Sequence, residues 1–132
     1  MKLGMQELEY INVIEKITKA QVKDCVLNDG ELVVVIKEGD MGLAIGRKGE
    51  NAEKVREALG KKVSFIEFST DKEKFVKKLF APAVIESVEF NGDTAKITVK
   101  ETQRVIGKGG KRKQRAETLL ERHFGIKNVI VN

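Results

Sequence analysis

The sequence Ile45-Gly46-Arg47-Lys48-Gly49 recurs 61 residues further along this 132-residue chain as Ile106-Gly107-Lys108-Gly109-Gly110. Each copy follows a β-rich segment and precedes a segment with helical periodicity. A single Gly-x-x-Gly motif carries little information in a chain with 12 glycines. Two copies in the same context, each with a basic residue between the glycines, indicate a duplicated structural unit.

The residues before the first copy predict a helix and a hairpin. Leu8, Ile11 and Ile14 recur at a spacing of three, which is typical of an amphipathic helix. Two β-rich runs flank Asn28-Asp29-Gly30, and turn residues between such runs predict a hairpin. The predicted elements are a helix over 5–17, strands over 22–27 and 32–36, a short helix before the glycines, a helix over 50–59 and a strand over 63–68.

The second half repeats this order. Thr70 and Glu73 predict a capping box for a helix that ends before Pro82. Ala95, Ile97 and Val99 alternate with polar residues, which predicts a sheet with one solvent-exposed face. The remaining predicted elements are a strand over 84–90, a short helix before the second glycine motif, a helix up to about 124 and a strand over 126–131.

An alignment at a constant offset of 61 pairs Ile36 with Ile97, Ile45 with Ile106 and Leu59 with Leu120. Both halves then have the order α-β-β-α-loop-α-β, which predicts two domains over 1–69 and 70–132. No Gly-, Ser- or Pro-rich linker separates them, so we expect the two units to pack as a rigid pair.

Composition predicts a cytoplasmic protein without a membrane span. Hydrophobic residues make up 41% of the chain, but no run of about 18 apolar residues occurs. The first residues lack the apolar block of a secretory signal. Cys25 is the single cysteine, so no internal disulfide is possible.

The positive charge lies in the second half. Residues 1–70 contain 11 Lys and Arg against 12 Asp and Glu, whereas residues 71–132 contain 14 against 8. No acid lies between Glu101 and Glu117, a segment that holds Arg104, Lys108, Lys111, Arg112, Lys113 and Arg115. Such a run is usually a solvated helix face, but here it begins inside a glycine motif, which favours a polyanion site.

The glycine motifs are suited to holding phosphate. A helix that starts directly after such a loop exposes backbone N–H groups, and its dipole favours negative charge. Glycines let the backbone turn sharply and let a phosphate approach without a Cβ clash. The side chains that would supply positive charge are Arg47, Lys48, Lys108, Lys111, Arg112 and Arg115. A tight helix–helix turn is the structural alternative.

Ile-Gly-x-x-Gly between two helices, inside an α-β-β-α-α-β unit, resembles the type II KH domain, and two fused units resemble the KH pair of NusA-type transcription factors. The resemblance covers about 5–131 and implies an α/β (α+β) fold with three-stranded mixed sheets backed by helices. It also implies single-stranded RNA binding, in which each loop grips about four nucleotides by their backbone. The residues carried over to RNA binding are Ile45, Gly46, Arg47, Lys48, Gly49, Ile106, Gly107, Lys108, Gly109, Gly110, Lys111, Arg112 and Arg115.

Other functions have weaker support. Gly110-Lys111 is followed by Arg112 rather than Ser or Thr, so a P-loop is not formed, and the sequence places neither His123 nor Cys25 in a catalytic motif. We therefore expect no enzyme activity, no metal and no cofactor. A ribosomal or ribosome-assembly KH protein, and a module that docks on RNA polymerase, are the alternatives. The chain is expected to act as a monomer in transcription elongation or termination.

Overall fold

The computed structural model describes residues 4–28, 30–100 and 110–132 and divides into two compact units, 1–69 and 70–132. The second short helix and most of the second glycine loop, expected within 101–109, lie outside the described residues. The elements of the first unit are α1 (Met5–Thr18), β1 (Val22–Asn28), β2 (Glu31–Ile36), α2 (Met41–Ile45), a 3₁₀ turn (Arg47–Gly49), α3 (Glu50–Leu59) and β3 (Lys62–Glu67). Those of the second unit are α4 (Lys72–Phe80), β4 (Ile85–Asn91), β5 (Thr94–Val99), α5 (Lys111–Phe124) and β6 (Asn128–Val131).

Each unit contains one three-stranded mixed sheet. β2 lies between β1, to which it is antiparallel, and β3, to which it is parallel. β5 has the same two relationships with β4 and β6. A parallel pair requires a crossover, and in the first unit α2 and α3 supply it. The α+β class and the mixed sheets are confirmed.

The core of the first unit is formed between its helices and one face of its sheet. Ile14 of α1 and Val55 of α3 are fully buried together with Leu32, Val34 and Ile36 of β2. Full burial of a side chain of this size contributes about 1.5–3 kcal/mol. Because α3 belongs to this core, the loop that precedes it rests on a firmly packed helix.

Side chains that form hydrogen bonds with the backbone stabilise the connection between α1 and β1. The Thr18 hydroxyl donates to the Ile14 carbonyl at 2.7 Å and accepts from the Ala20 N–H at 3.1 Å. The Glu15 carboxylate accepts from the Val22 N–H at 2.9 Å. These bonds satisfy buried polar groups that would otherwise destabilise the turn.

The central strands of the two sheets differ in burial. On β5, Ala95, Ile97 and Val99 are buried whereas Lys96 is exposed, so the predicted one-sided strand is confirmed. On β2, every residue of the range 32–36 is buried. The same topology therefore carries an alternating strand in one unit and a continuous apolar strand in the other.

The predicted starts of α4 and β6 were wrong. Asp71, not Thr70, caps α4: its carboxylate accepts from the Glu73 N–H at 3.0 Å and the Lys74 N–H at 3.3 Å. A carboxylate at this position also interacts favourably with the helix dipole. β6 begins at Asn128 rather than at residue 126, because the Ile126 N–H donates back to α5, to the Leu120 carbonyl, at 3.2 Å.

The constant offset of 61 is also wrong for the hairpins. β1 and β2 pair Val22 with Ile36, and β4 and β5 pair Ile85 with Val99, each next to a register irregularity. Ile36 therefore corresponds to Val99 at an offset of 63, not to Ile97. The connection from the hairpin to the glycine motif is two residues shorter in the second unit.

Candidate nucleic-acid interface

Gly46 ends α2 in a conformation that requires glycine. Its φ of 76° and ψ of 174° lie in a region that residues with a Cβ rarely adopt. A Cβ placed on Gly46 would lie 2.8 Å from the backbone nitrogen of Asn51 and 2.8 Å from its Cγ. The close approach of α2 to α3 at this point therefore excludes any larger residue.

Hydrogen bonds hold the loop formed by residues 46–49. The Gly46 N–H donates to the Gly42 carbonyl at 2.9 Å, and the Gly49 N–H donates to the Gly46 carbonyl at 3.1 Å. The Asn51 side-chain amide donates to the Leu43 carbonyl at 2.8 Å, which joins α3 to α2. The loop is thus organised before any ligand binds.

Arg47 and Lys48 project from this loop as exposed cations. Lys48 has φ 56° and ψ 27°, a left-handed conformation that costs a non-glycine residue about 1–2 kcal/mol. Gly49 follows with φ 77° and ψ 13°, and a Cβ there would meet nothing within 4 Å. Two adjacent positive charges consequently border open space at the start of α3.

The first turn of α3 is acidic. Glu50 and Glu53 both lie in it. Glu53 forms an exposed ion pair with Arg56 at 3.4 Å, and the Arg56 Nε donates to the Val63 carbonyl of β3 at 3.3 Å. These carboxylates oppose part of the positive potential of Arg47 and Lys48, so charge alone is a weak attraction in this unit.

An apolar surface adjoins the loop on α2. Ala44 is fully buried and Ile45 is half-buried, while Leu43 is 48% exposed. Ile45 was predicted from the sequence but Leu43 was not, because the apolar pattern of α2 does not show which residue faces solvent. Asn51 was not predicted either, since its only signal is a polar residue two positions after the motif.

α2 is anchored at its other end by side-chain bonds. The Asp40 carboxylate accepts from the Gln21 N–H at 2.9 Å, and the Glu67 carboxylate accepts from the Gly39 N–H at 2.9 Å. The second of these bonds ties the entry to α2 to the end of β3. The two helices and β3 therefore hold the loop from both sides.

In the second unit the structure describes the end of the loop and the helix that follows. Gly110 precedes α5 with φ 75° and ψ 13°, nearly the conformation of Gly49. Lys111 is exposed and Arg112 and Arg115 are half-buried, and the first turn of α5 contains no acid. The predicted site residues Ile106, Gly107, Lys108 and Gly109 lie outside the described residues.

Within residues 4–28, 30–100 and 110–132, no three His, Cys, Asp or Glu side chains come together in a way that could hold a metal ion. No helix in them has both the length and the apolar character needed to cross a membrane. Cys25 is fully buried in the first unit.

Comparison with known proteins agrees with this geometry. The KH domain family model matches residues 9–70. The probable transcription termination protein NusA of Methanocaldococcus jannaschii is 39% identical over 137 residues, covering 99% of this chain and 75% of that protein. The protein of the same name from Methanococcus vannielii is 36% identical over 137 residues, covering 99% and 79%. A crystal structure of a protein called APE1850 has a TM-score of 0.82 at 36% identity, covering 98% of this chain and 100% of that one.

The fold and the first loop define a KH-domain protein. The near full-length relatives are more specific, and the chain belongs to the family of archaeal NusA proteins, which are named as probable transcription termination proteins. The family resemblance found in the sequence is therefore confirmed.

Proposed function

We propose that this protein binds single-stranded RNA as a transcription elongation or termination factor, with each Gly-x-x-Gly loop holding the RNA backbone. The observation that carries the proposal is the 46–49 loop, in which two glycines with positive φ flank two exposed cations between helices. KH domains grip about four nucleotides at such a loop. The proposed contact residues are Ile45, Gly46, Arg47, Lys48, Gly49, Ile106, Gly107, Lys108, Gly109, Gly110, Lys111, Arg112 and Arg115.

Phosphates would bind at the start of α3. Arg47 and Lys48 supply positive charge there, and the backbone N–H groups of the first helical turn point toward the same space. The position of a Cβ on Gly49 is open, so a phosphate oxygen can approach the backbone closely. The loop needs no rearrangement to accept it.

Bases would lie against apolar side chains rather than stack on aromatic rings. Leu43 and Ile45 provide exposed and half-buried apolar surface next to the loop. The chain has no Trp and one Tyr, and each of its six Phe is buried or half-buried, so the aromatic platforms of other RNA-binding folds have few candidates. This arrangement suits an unpaired strand, whose bases are free to turn toward the protein.

The second unit would form a similar clamp as a second KH domain of the same type. Gly110 starts α5 as Gly49 starts α3, and the motif residues before it have the same spacing. Lys111, Arg112 and Arg115 then add charge along the helix where the first unit has Glu50 and Glu53. We infer that the second unit contributes more of the electrostatic attraction.

The test is fluorescence anisotropy with single-stranded RNA, single-stranded DNA and double-stranded RNA of matched length. The proposal predicts preferential binding of single-stranded RNA, with log Kd rising with log salt by about 0.7 for each neutralised phosphate. Equal binding of all three nucleic acids would indicate nonspecific electrostatic attraction alone and would contradict the proposal.

RNA polymerase is a second proposed partner, favoured by the division of charge. The first unit carries 11 Lys and Arg against 12 Asp and Glu, unlike the basic second unit. We infer that a monomer binds RNA mainly through the second unit and contacts polymerase through the first.

A pull-down from RNase-treated extract tests the direct contact with polymerase, since loss of polymerase after RNase treatment would contradict it. Light scattering measures the oligomeric state.

A further inference from the structure

α4 carries a set of basic residues that belongs to neither glycine motif. Lys74, Lys77 and Lys78 follow the i, i+3, i+4 spacing that places side chains on one face of a helix. We call this set the lysine face. The opposite face of α4 is buried and consists of Phe75, Val76, Leu79 and Phe80.

The lysine face is accessible to a ligand. Lys74 and Lys77 are exposed and Lys78 is half-buried. Lys77 forms an ion pair with Glu73 at 3.6 Å, but both side chains are about half exposed, at 50% and 52%. An ion pair in water at this exposure is weak, so a phosphate can displace the carboxylate at little cost.

The equivalent helix of the first unit has the opposite charge. α1 contains three glutamates and one lysine, whereas α4 contains four lysines and one glutamate. Solubility alone requires charge of either sign. The sign on α4 matches the basic start of α5 in the same unit, which favours one polyanionic ligand for both.

α4 packs against the end of α5 that is farthest from Gly110. Phe75 of α4 contacts His123 and Phe124 in the last turn of α5, with ring centroids 6.2 and 5.7 Å apart. Gly110 stands at the other end of this 14-residue helix, which is about 20 Å long at 1.5 Å per residue. A ligand that reaches both surfaces must extend beyond the nucleotides that one loop holds.

We propose that the lysine face binds the phosphate backbone of the same single-stranded RNA, beyond the nucleotides gripped at the second loop. This inference rests on the proposed RNA-binding function. It adds a third contact surface on α4, which makes affinity depend on RNA length. Positive charge on a helix face binds backbone without reading sequence, so the contact contributes affinity rather than specificity.

The experiment compares two RNAs by fluorescence anisotropy, one of about four nucleotides, the length that one loop holds, and one about five times as long. The variant replaces the lysine face with Lys74→Gln, Lys77→Gln and Lys78→Gln. The control variant, with Lys16→Gln, Lys19→Gln and Lys96→Gln, removes the same charge from exposed positions on other surfaces. Circular dichroism verifies that both variants are folded.

For the long RNA, the lysine-face variant should bind about tenfold more weakly than the control. The slope of log Kd against log salt concentration should also be smaller by up to about 2, because each of three lost phosphate contacts accounts for about 0.7. For the short RNA, the two variants should bind equally. If both variants lost the same affinity for the long RNA, the inference would be overturned. Because the loops still bind the short RNA in that case, the proposed function would survive.

A second variant changes affinity in the opposite direction. Glu73→Gln removes the carboxylate paired with Lys77 and leaves the three lysines in place. It should strengthen binding of the long RNA by about twofold to threefold and leave the short RNA unchanged. Unchanged or weaker binding of the long RNA would overturn the inference even if the triple variant failed to fold.

Discussion

α3 and α5 begin in nearly the same backbone conformation but carry different charge. Gly49 and Gly110 precede them with φ, ψ of 77°, 13° and 75°, 13°. The first turn of α3 then contains Glu50 and Glu53, and the first turn of α5 contains no acid. The two helix starts thus share a backbone geometry but differ in the charge around it. In the proposed clamp, the first unit depends more on shape and the second more on electrostatic attraction.

The loops also differ at the third motif position. Lys48 holds a left-handed backbone conformation, whereas the second loop has Gly109 at this position of the motif. A glycine adopts that conformation without strain. The first unit therefore accepts a strained backbone at a position where its side chain adds positive charge, which it has in smaller supply than the second unit.

The largest effect is expected from Gly46→Ala, which tests the shared geometry. The new Cβ would be 2.8 Å from the Asn51 backbone nitrogen and would sit at an unfavourable φ and ψ, so the free energy of unfolding should fall by about 3 kcal/mol. Urea denaturation measures it. Gly42→Ala is the control, because its Cβ meets nothing within 4 Å and alanine favours helix by up to about 1 kcal/mol. An equal fall in the free energy of unfolding for Gly107→Ala would show that the second loop also requires glycine at the first motif position.

Neutralising the start of α5 tests the difference in charge. Lys111→Gln with Arg112→Gln should weaken single-stranded RNA binding by about tenfold and reduce the salt slope by about 1.4. The measurement is anisotropy over a series of salt concentrations. The control variant, Lys16→Gln with Lys96→Gln, removes the same charge from positions outside α5. An equal loss of RNA affinity in that control would show that only net charge matters.

Glu50→Lys gives the first unit the residue type that the second unit has at Lys111. RNA affinity should rise by about threefold because a repulsive charge is replaced by an attractive one. The free energy of unfolding should fall by about 0.5–1 kcal/mol, since the helix start loses a favourable acid. A rise in RNA affinity together with a fall in the free energy of unfolding would support the proposed role of charge at this position, whereas weaker RNA binding would contradict it.

Lys48→Gly gives the first loop the residue of the second and is expected to have the smallest effect. Relief of the left-handed strain should raise the free energy of unfolding by less than about 1 kcal/mol, because glycine also adds entropy to the unfolded chain. RNA affinity should fall by about threefold. Arg47→Gly serves as the control, since Arg47 does not have a positive φ and should lose both stability and affinity.

Periodicity and turn residues were sufficient to predict the hairpins and those helices that the structure describes, and the family resemblance supplied the α+β class with its mixed sheets. They did not locate features that depend on which of several nearby polar groups bonds to a given N–H. Asp71 replaced Thr70 as the cap of α4, and the Ile126 N–H bonded back to α5 instead of joining β6. The constant offset failed because it was fixed at the glycines, whereas the hairpin register places Ile36 opposite Val22 and Val99 opposite Ile85. Exposure of Leu43 and the bond from Asn51 to its carbonyl depend on how α2 packs, which the sequence pattern does not contain.

We propose above that both Gly-x-x-Gly loops hold single-stranded RNA, with the second contributing more of the affinity. The most direct measurement compares the wild type with two variants, Arg47→Asp with Lys48→Asp and Lys108→Asp with Gly109→Asp, by fluorescence anisotropy on one single-stranded RNA. Both variants should bind RNA more weakly than the wild type, and the second should lose more affinity than the first. Binding that neither pair of substitutions changes would contradict the proposal.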